Sequence, residues 1–330
     1  MAASKGMDGE GKSKEIVPSE VKLMIAVTGI YTCYISSGIL QEAITSYSRS
    51  DAGEKFTYTL FMLWGQCLVN VMFAAVAMTI AGRSGDKMPQ HLFATAGCGY
   101  ISAMVCSLEA LQYVSFPMKE LGKSCKMIPV MIFGVLFAQK RYSIRDYTCV
   151  ALITAGIITF NMGGKQKTGK ENSSYGLMLL ALSLILDGVT GSAQERLKKA
   201  CTPTVHEMMF HMNLWAFTIL TLACVVTGQG LEGFKFCHQN PVILQHLIGF
   251  ASAAALGQNF IYFTIKNFNP LVCTTITTTR KFFTILCSVI WFRHPMSVQQ
   301  WSGVALVFAG IGGEMVGKYH KSQALKAKKA

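Results

Sequence analysis

Two groups of basic residues stand inside stretches of sequence that are otherwise apolar. They are Lys119, Lys123 and Lys126 in the first group, and Arg280 and Lys281 in the second. At about 100° per residue, the three lysines would lie on one face of a helix, within about 60° of one another. Ammonium groups so placed repel one another unless water and a polyanion neutralise them, and phosphate is an anion that lysine and arginine commonly bind. The pattern predicts a site for a small phosphate-bearing solute.

Residues beside the two groups could share in binding. Five threonines closely precede Arg280, and a threonine hydroxyl can bond to a ribose or phosphate, or back to a carbonyl of its own helix. Arg280 offers a planar fork of N–H groups and Lys281 a mobile charge, so with the lysines of the first group they could hold a di- or triphosphate from two sides. Glu120 offers a structural alternative, because its carboxylate could pair with one of the lysines.

Four more polar residues in apolar segments are candidates for contact with a substrate. Glu42 could be a counter-ion of the cations, a group that competes with substrate, or a carboxylate at the membrane surface. Gln258 and Asn259 could bond to a base edge or to sugar hydroxyls, or they could join two helices. Tyr262 could stack on a base, although tyrosine is also common at membrane interfaces. Candidates with less context are Glu109, Asp187, Asn213, Tyr113 and Trp291.

The composition indicates what kind of protein must position these residues. Of 330 residues, 51% are hydrophobic and 14% are charged, and the mean hydropathy is +0.38. Soluble domains carry about 25% charged residues, and one soluble core cannot hide so large an apolar excess, whereas a bilayer solvates it directly. We therefore expect an all-α polytopic membrane protein.

Windows of high hydropathy divide the chain into ten apolar segments, each suited to a transmembrane helix of about 20 residues. The segments cover approximately residues 21–41, 58–81, 92–115, 117–138, 146–163, 175–194, 207–227, 242–265, 270–292 and 298–317. Because ten is an even number, both termini are predicted to lie on the same side of the membrane.

The basic residues are distributed unequally between the two sides that this topology defines. The formal net charge is +13, and of the 30 basic residues 18 fall on the side of the termini and seven on the opposite side. The positive-inside rule therefore places both termini in the cytosol. The remaining five are the two groups described above. Each would cost about 2.5–3.5 kcal/mol facing lipid at the bilayer centre, so we expect them to line a cavity, and nucleic acid is not needed to explain the charge.

The two basic groups occupy equivalent places in the two halves of the chain. Five segments precede the polar loop at 164–174 and five follow it, and an odd number per half means that the second half is inverted relative to the first. In each half the fourth segment begins with a proline and carries the cations. We predict two inverted five-helix repeats, 21–163 and 175–317, preceded by a leader at 1–20 and followed by a tail at 318–330.

The two ends of the chain bear on its location. No apolar signal-peptide core precedes the first segment, so the N-terminus is expected to stay in the cytosol. Lys326 and Lys328 stand fifth and third from the end, the dilysine pattern by which coat proteins return membrane proteins to the endoplasmic reticulum. The alternative is a basic tail held to anionic lipid of the cytosolic leaflet.

Other motifs point away from enzymes and metal sites. Gly-Lys-Ser at 122–124 imitates the end of a nucleotide-hydrolase phosphate loop, but the upstream glycine position is Pro117 and no strand is available. His206, Glu207 and His211 imitate a zinc helix, but the second histidine comes one residue late. The eleven cysteines include no CxxC pair and are interpreted as small buried hydrophobic residues. We predict no metal, no cofactor and no catalytic residues.

Several longer motifs resemble one family of membrane transporters. LGKSCKMIPVM at 121–131 and TITTTRKFFT at 275–284 closely resemble the nucleotide-sugar transporter family. Within it, the match is to the UDP-galactose-transporter-like B branch of solute carrier family 35, in the drug/metabolite transporter superfamily. GILQE at 38–42, MNLW at 212–215 and GQNFIY at 257–262 fit the same branch, so the resemblance spans nearly the whole chain.

The resemblance implies ten helices in two inverted halves, antiport by alternating access, and residence in the endoplasmic reticulum or Golgi. The family's phosphate-binding basic positions and its first-helix glutamate fall on Lys123, Lys126, Arg280, Lys281 and Glu42. The chain departs from its relatives at Lys119 and Glu120, where they usually have Gln and then Val. This departure adds a charge pair at the luminal mouth and weakens any transfer of a relative's substrate.

The predicted function is exchange of UDP-galactose or UDP-glucose for a nucleotide. The same branch includes proteins that resemble ATP/ADP exchangers of the endoplasmic reticulum, so an adenine-nucleotide exchanger is the alternative. A membrane-embedded transferase with a phosphorylated lipid donor is disfavoured, because no paired carboxylate or Cys/His/Asp set accompanies the cations. A broad exporter of metabolites or drugs is also less favoured, since the cluster would repel cationic drugs. The expected partners are nucleotides, membrane lipids and the coat protein.

Overall fold

The described part of the chain is built from helices. The computed structural model describes residues 19–47, 55–82, 84, 88–125, 128, 131, 143–164, 173–268, 270–293 and 296–327. The helices in these ranges are α1 (Ser19–Ser46), α2 (Thr59–Ala81), α3 (Gln90–Glu109), α4 (Phe116–Ser124), α5 (Ile144–Gly164), α6 (Ser174–Ala200), α7 (Val205–Thr227), α8 (Gln229–Gln239), α9 (Pro241–Asn267), α10 (Pro270–Trp291) and α11 (Val298–Ala327). A short 3₁₀ turn, Ala110–Gln112, continues α3.

The predicted apolar segments overlap these helices, although α1 and α6 continue past the predicted ends at 41 and 194 and α3 ends before 115. Three further differences are larger. α8 was not predicted, because its eleven residues are too few and too polar for a membrane span. α11 continues to Ala327, well past the predicted end at 317. α4 ends at Ser124, since Cys125 has φ −90° and ψ 31°, whereas hydropathy predicted one segment to 138. Most of the remainder of that segment lies outside the described residues.

The outer surface of the described helices is suited to lipid. Within the described ranges, five helices are long and apolar enough to cross a membrane, judged by length and composition: Glu20–Ser46, Thr59–Ala81, Gln90–Gln112, Ser174–Gln194 and Val205–Thr227. Large apolar side chains stand exposed on several helices, among them Ile80, Val226, Trp291 and Val298. In water such a surface would drive aggregation, whereas in a bilayer it contacts acyl chains. These features agree with a polytopic membrane protein.

The helices pack in pairs that join the first part of the chain to the second. α1 packs along α9, α2 along α7, α3 along α6 and α5 along α11, while α4 lies against α10 and α6. The apolar side chains form two main cores. Phe116 of α4 belongs to the first core, and Met118 and Leu121 belong to the second. α4 therefore lies where the two cores meet.

The start of α4 is fixed by its sequence. Ser115 is the N-cap residue, and its hydroxyl accepts from the backbone N–H of Met118 at 3.4 Å. Pro117 occupies the first turn, where a missing N–H costs no helical hydrogen bond. The helix then places Lys119 and Lys123, four residues apart, at the junction of the two cores.

The contact between α5 and α11 leads to a prediction about stability. A Cβ atom at Gly303 would lie 2.7 Å from the Gly156 carbonyl oxygen and 2.7 Å from the Phe160 nitrogen, both backbone atoms. Because a backbone cannot move aside as a side chain can, Gly303→Ala should lower the free energy of unfolding by about 1–3 kcal/mol. Thermal unfolding in detergent measures this. Gly312→Ala is the matched control, since a Cβ there meets nothing within 4 Å, and equal losses in both variants would contradict the packing.

Candidate functional site

The described cations come from two helices that pack against each other. α4 carries Lys119 and Lys123, and α10 carries Arg280 and Lys281. The Lys281 Nζ donates to the main-chain carbonyl of Lys123 at 2.9 Å. That carbonyl lies in the last turn of α4, where carbonyls lack an intrahelical partner and carry partial negative charge. The structure therefore brings Lys281 of the second predicted basic group against the backbone of Lys123 in the first group.

The ammonium of Lys123 points to α6. Its Nζ lies 2.7 Å from Asp187 Oδ2 and donates to Ser183 Oγ at 2.6 Å. Ser183 is fully buried, and its hydroxyl donates to the carbonyl of Ala103 on α3 at 2.6 Å. Because that bond uses the hydroxyl proton, the Ser183 oxygen is available to accept from Lys123. Two oxygens of α6 therefore orient the Lys123 ammonium.

The ammonium of Lys119 points instead to α1. It donates to Gln41 Oε1 at 2.7 Å, lies 3.0 Å from the Glu120 carboxylate and is 5.2 Å from the centre of the Phe116 ring. The residue is only 6% exposed. The sequence predicted that the lysines form one repulsive stripe. This interpretation is corrected for Lys119 and Lys123, because each contacts a different helix and each has a carboxylate beside it.

The carboxylate of Glu120 lies among the cations. Besides its ion pair with Lys119, it interacts electrostatically with Arg280 and Lys281. The sequence left open that Glu120 pairs with a lysine of its own cluster, and the structure shows this pairing with Lys119. The cluster therefore holds part of its own neutralising charge.

Arg280 stacks on an aromatic side chain of α1. Its guanidinium carbon lies 4.4 Å from the centre of the Tyr34 ring, within the range of a cation–π interaction. The Tyr34 hydroxyl in turn donates to Gln258 Oε1 at 3.0 Å. The Arg280 Nε atom is buried and has no hydrogen-bond partner among the described residues. A buried donor left unpaired costs about 1–3 kcal/mol, so an acceptor such as a phosphate oxygen would stabilise it.

Glu42 is held by a contact with α10. It is 2% exposed, and its Oε2 accepts from Ser288 Oγ at 2.6 Å. Ser288 follows Arg280 on α10 by eight residues, which is about 12 Å along the helix. The burial of Glu42 argues against the expected alternative of a carboxylate at the membrane surface. Its contact instead links α1 to α10.

The other predicted site residues divide into those that the structure places and those that it does not. Asn259 donates to the carbonyl of Ala255 in its own helix at 2.9 Å, while its neighbour Gln258 faces Tyr34. Outside the described residues lie Lys126 and Lys328 and the side chains of Tyr262 and Lys326.

Most of the described threonine hydroxyls near Arg280 bond within α10. Thr277, Thr279 and Thr284 each donate to a carbonyl four residues earlier, at 2.8 to 3.0 Å. Thr279 also accepts from the Tyr31 hydroxyl at 2.7 Å. Of the two roles left open by the sequence for the threonines before Arg280, back-bonding to the helix is the one observed for Thr277 and Thr279.

Three further candidates have structural roles. Glu109 accepts from Thr59 at 3.0 Å, and Asn213 accepts from Asn70 at 3.0 Å, so both join neighbouring helices. Trp291 is 71% exposed on the outer surface, which does not suit base stacking.

The residues that imitate a zinc helix have a simpler explanation. Glu207 accepts from the backbone N–H groups of Ser84 at 3.0 Å and Thr204 at 2.7 Å. Thr204 accepts in return from the Glu207 N–H, which completes a capping box at the start of α7. The Glu207 carboxylate therefore caps the start of α7 and holds the backbone at Ser84 in place.

Sequence reasoning overlooked Tyr34 and Ser183 and gave Asp187 no specific role. Asp187 and Tyr34 each carried a weak signal, and Ser183 carried none. Asp187 is the one carboxylate in the apolar segment 175–194. Tyr34 precedes Gln41 by seven residues, so the two share a face of α1. Neither signal identifies a partner, because the partner depends on which helices pack together.

Comparison with known proteins gives concordant results. The model of the UAA transporter family matches residues 22–318. Solute carrier family 35 member B1 of Rattus norvegicus is 41% identical over 305 residues, covering 91% of this chain and 95% of that protein. The solute carrier family 35 member B1 homolog of Drosophila melanogaster is 39% identical over 309 residues, 91% of each chain. A solved crystal structure with 12% identity has a TM-score of 0.55 over 90% of this chain and 96% of the other, a likeness of fold alone.

Proposed function

Because the chain belongs to the UAA transporter family, we propose that it is an antiporter that carries UDP-galactose or UDP-glucose into the lumen of the endoplasmic reticulum or Golgi in exchange for a nucleotide. The resemblance to the nucleotide-sugar transporters of solute carrier family 35, subfamily B, is confirmed, and the chain is a multi-pass membrane transporter. The proposal concerns its substrate, its mode of exchange and its membrane.

The observation that carries the proposal is the buried Nε of Arg280, which has no hydrogen-bond partner in the part of the chain that the structure describes. It lies on the helix that also bonds to α4 through Lys281, so cations from both parts of the chain converge. A diphosphate offers several charged oxygens at once and can therefore accept from Arg280 and from the neighbouring ammonium groups together. Lys126, which lies outside the described residues, is proposed as a further phosphate ligand.

The base and sugar are proposed to contact the polar face formed by α1 and α9. Gln258 is held toward this face by Tyr34, which also stacks on Arg280. Asn259 and Tyr262 are proposed to contribute from the same part of α9. This arrangement would place the phosphates at the cations and the nucleoside beside α9.

We further propose that transport proceeds by alternating access between two inverted five-helix repeats. The observed helix pairs support this proposal. In such a repeat α1, α2, α3, α4 and α5 correspond in order to α6, α7, α9, α10 and α11. The observed pair of α1 with α9 then corresponds to the observed pair of α6 with α3. The pairs α2–α7, α4–α10 and α5–α11 are then self-equivalent. A two-fold relation of this kind lets one half move against the other around a central site.

With the termini in the cytosol, the luminal ends of α1, α4 and α10 would meet above the cations. Two buried contacts join them there: Glu42 with Ser288, and Gln41 with Lys119. A Cβ at Gly38 would lie 3.0 Å from Thr284, so α1 and α10 also pack closely. These contacts support a conformation closed toward the lumen. Opening toward the lumen would require the Glu42–Ser288 and Gln41–Lys119 contacts to break.

The dilysine pattern at Lys326 and Lys328 supports residence in the endoplasmic reticulum. We propose that coat proteins bind these lysines on the cytosolic side. An anionic-lipid contact of the same tail is the alternative, and changing both lysines to serine distinguishes them. Loss of retention would support the coat-protein role, whereas unchanged location would favour the lipid contact.

Exchange in proteoliposomes tests the proposed function. Liposomes containing the purified protein are preloaded with UMP, UDP, AMP or ADP and given labelled UDP-galactose, UDP-glucose or ATP. Preloading with a uridine nucleotide should raise initial uptake of a UDP-sugar about tenfold, which corresponds to a barrier lower by about 1.4 kcal/mol. Stimulation of ATP uptake by AMP or ADP alone would instead favour the adenine-nucleotide exchanger. Uptake that no internal nucleotide stimulates would contradict antiport.

A further inference from the structure

The ion pair between Lys123 and Asp187 bears on how the phosphate site behaves when its substrate leaves. A lysine ammonium inside a membrane protein is unfavourable without a nearby anion. Asp187 places a carboxylate oxygen 2.7 Å from Lys123 Nζ. An incoming phosphate would seek the same N–H donors, of which an ammonium has three. The internal carboxylate and the substrate therefore compete for one group.

We propose that Asp187 is the internal counter-anion of the phosphate site: its carboxylate neutralises Lys123 when no nucleotide is bound and yields the ammonium to a substrate phosphate. The inference rests on the proposed function for the identity of the substrate. It assigns to Asp187 the competing role that sequence reasoning considered for Glu42, whose observed partner is Ser288.

The surroundings of the two oxygens differ in a way that suits this exchange. Ser183 is fully buried and bonded to Ala103, so its contact with Lys123 can persist. The Asp187 side chain is 23% exposed. Gly191 lies one turn further along the same face of α6, and a Cβ there would meet nothing within 4 Å. The Asp187 carboxylate therefore has room to move away from Lys123, whereas Ser183 does not.

The competition has a functional consequence. An empty carrier whose Lys123 is neutralised from within can reorient without substrate, which permits some one-way transport. Removing the carboxylate should tighten anion binding and at the same time make return of the empty carrier slower. Asp187 would therefore set the balance between strict exchange and one-way transport. A residue with only a structural role would weaken both modes together.

Asp187→Asn tests the inference, because asparagine keeps the shape of the side chain and removes its charge. Inorganic pyrophosphate serves as the binding probe in thermal-shift titrations of the purified full-length protein. The variant should bind pyrophosphate about tenfold more tightly, as expected if the carboxylate holds the ammonium in about nine molecules of ten. In proteoliposomes, the ratio of exchange to efflux without external nucleotide should rise by a similar factor.

A double-mutant cycle separates competition at Lys123 from a general change in charge. In a Lys123→Met background, Asp187→Asn should no longer tighten pyrophosphate binding, since no ammonium remains to be released. Equal tightening in both backgrounds would overturn the inference. Asp187→Glu, which keeps the charge, should behave like the parent and gives a second variant if asparagine impairs folding.

The two readouts distinguish this inference from the proposed function. If the parent exchanges nucleotides but Asp187→Asn leaves both the pyrophosphate Kd and the exchange-to-efflux ratio unchanged, the counter-anion role is wrong and antiport stands. If the parent binds pyrophosphate and the variant binds it more tightly but neither exchanges any nucleotide, the proposed function is wrong and the counter-anion role stands. A parent that exchanges nucleotides but does not bind pyrophosphate would overturn the counter-anion role and leave antiport standing.

Discussion

Replacing Arg280 with alanine should lower kcat/KM for nucleotide exchange by roughly 30- to 5,000-fold, because loss of a charged hydrogen-bonding group from a desolvated site costs about 2–5 kcal/mol. The guanidinium stacks on Tyr34 and has a buried Nε without a partner among the described residues. We expect the substrate phosphate to be that partner. Initial rates of exchange in proteoliposomes, at equal protein content, measure the effect.

Two variants show whether the loss belongs to the phosphate site. Arg145→Ala makes the same substitution at an exposed position at the start of α5 and should keep parental exchange within twofold or so. Arg280→Lys keeps the charge but loses the planar fork, so it should fall between the parent and Arg280→Ala. Exchange by Arg280→Ala within threefold or so of the parent would contradict the assignment.

The second large effect concerns the buried charge pair at the start of α4. Lys119 and Glu120 lie 3.0 Å apart, with side chains only 8% and 13% exposed. Removing one member of a buried pair leaves the other charge uncompensated, at a cost of about 3–5 kcal/mol. Glu120→Val, which takes the carboxylate away from Lys119, should lower the free energy of unfolding by about that amount. Lys119→Gln should lower it by less, because Arg280 and Lys281 still face the Glu120 carboxylate. The double variant, which removes both charges together, should lose less than about 1.5 kcal/mol.

Thermal unfolding in detergent of the parent, the two single variants and the double variant measures this coupling. The Gln41 side chain can still bond to glutamine at position 119, which helps the double variant. Effects of the single variants that simply add in the double variant would mean that the two charges act independently. The ion pair between Lys119 and Glu120 would then contribute nothing to the stability of the fold.

The convergence of cations could be predicted because a charge inside an apolar segment is expensive and therefore conspicuous. The helices that carry Lys123 and Lys281 do pack together, with the Lys281 ammonium on the main-chain carbonyl of Lys123. The direction of each ammonium could not be predicted in the same way. Lys119 and Lys123 differ by only about 40° on an ideal helix, yet they reach α1 and α6 respectively.

The partners of the cations escaped prediction for a physical reason. Asp187 and Tyr34 are ordinary residues of their own segments, and their roles arise only when α6 and α1 pack beside α4 and α10. Hydropathy also treats residues 117–138 as one continuous span, because it is insensitive to the backbone turn that ends α4 after Ser124. Tertiary packing decides both features.

The most direct test of the central claim compares a nucleoside with its phosphates. Kd values are measured for uridine, UMP and UDP, and for adenosine, AMP and ADP, with the purified parent and with Arg280→Ala. In the parent, the diphosphate should bind at least about a hundredfold more tightly than the nucleoside, equivalent to about 2.8 kcal/mol. In Arg280→Ala most of that difference should disappear. A nucleoside that binds the parent as tightly as its diphosphate would contradict a phosphate-binding role for the cation cluster.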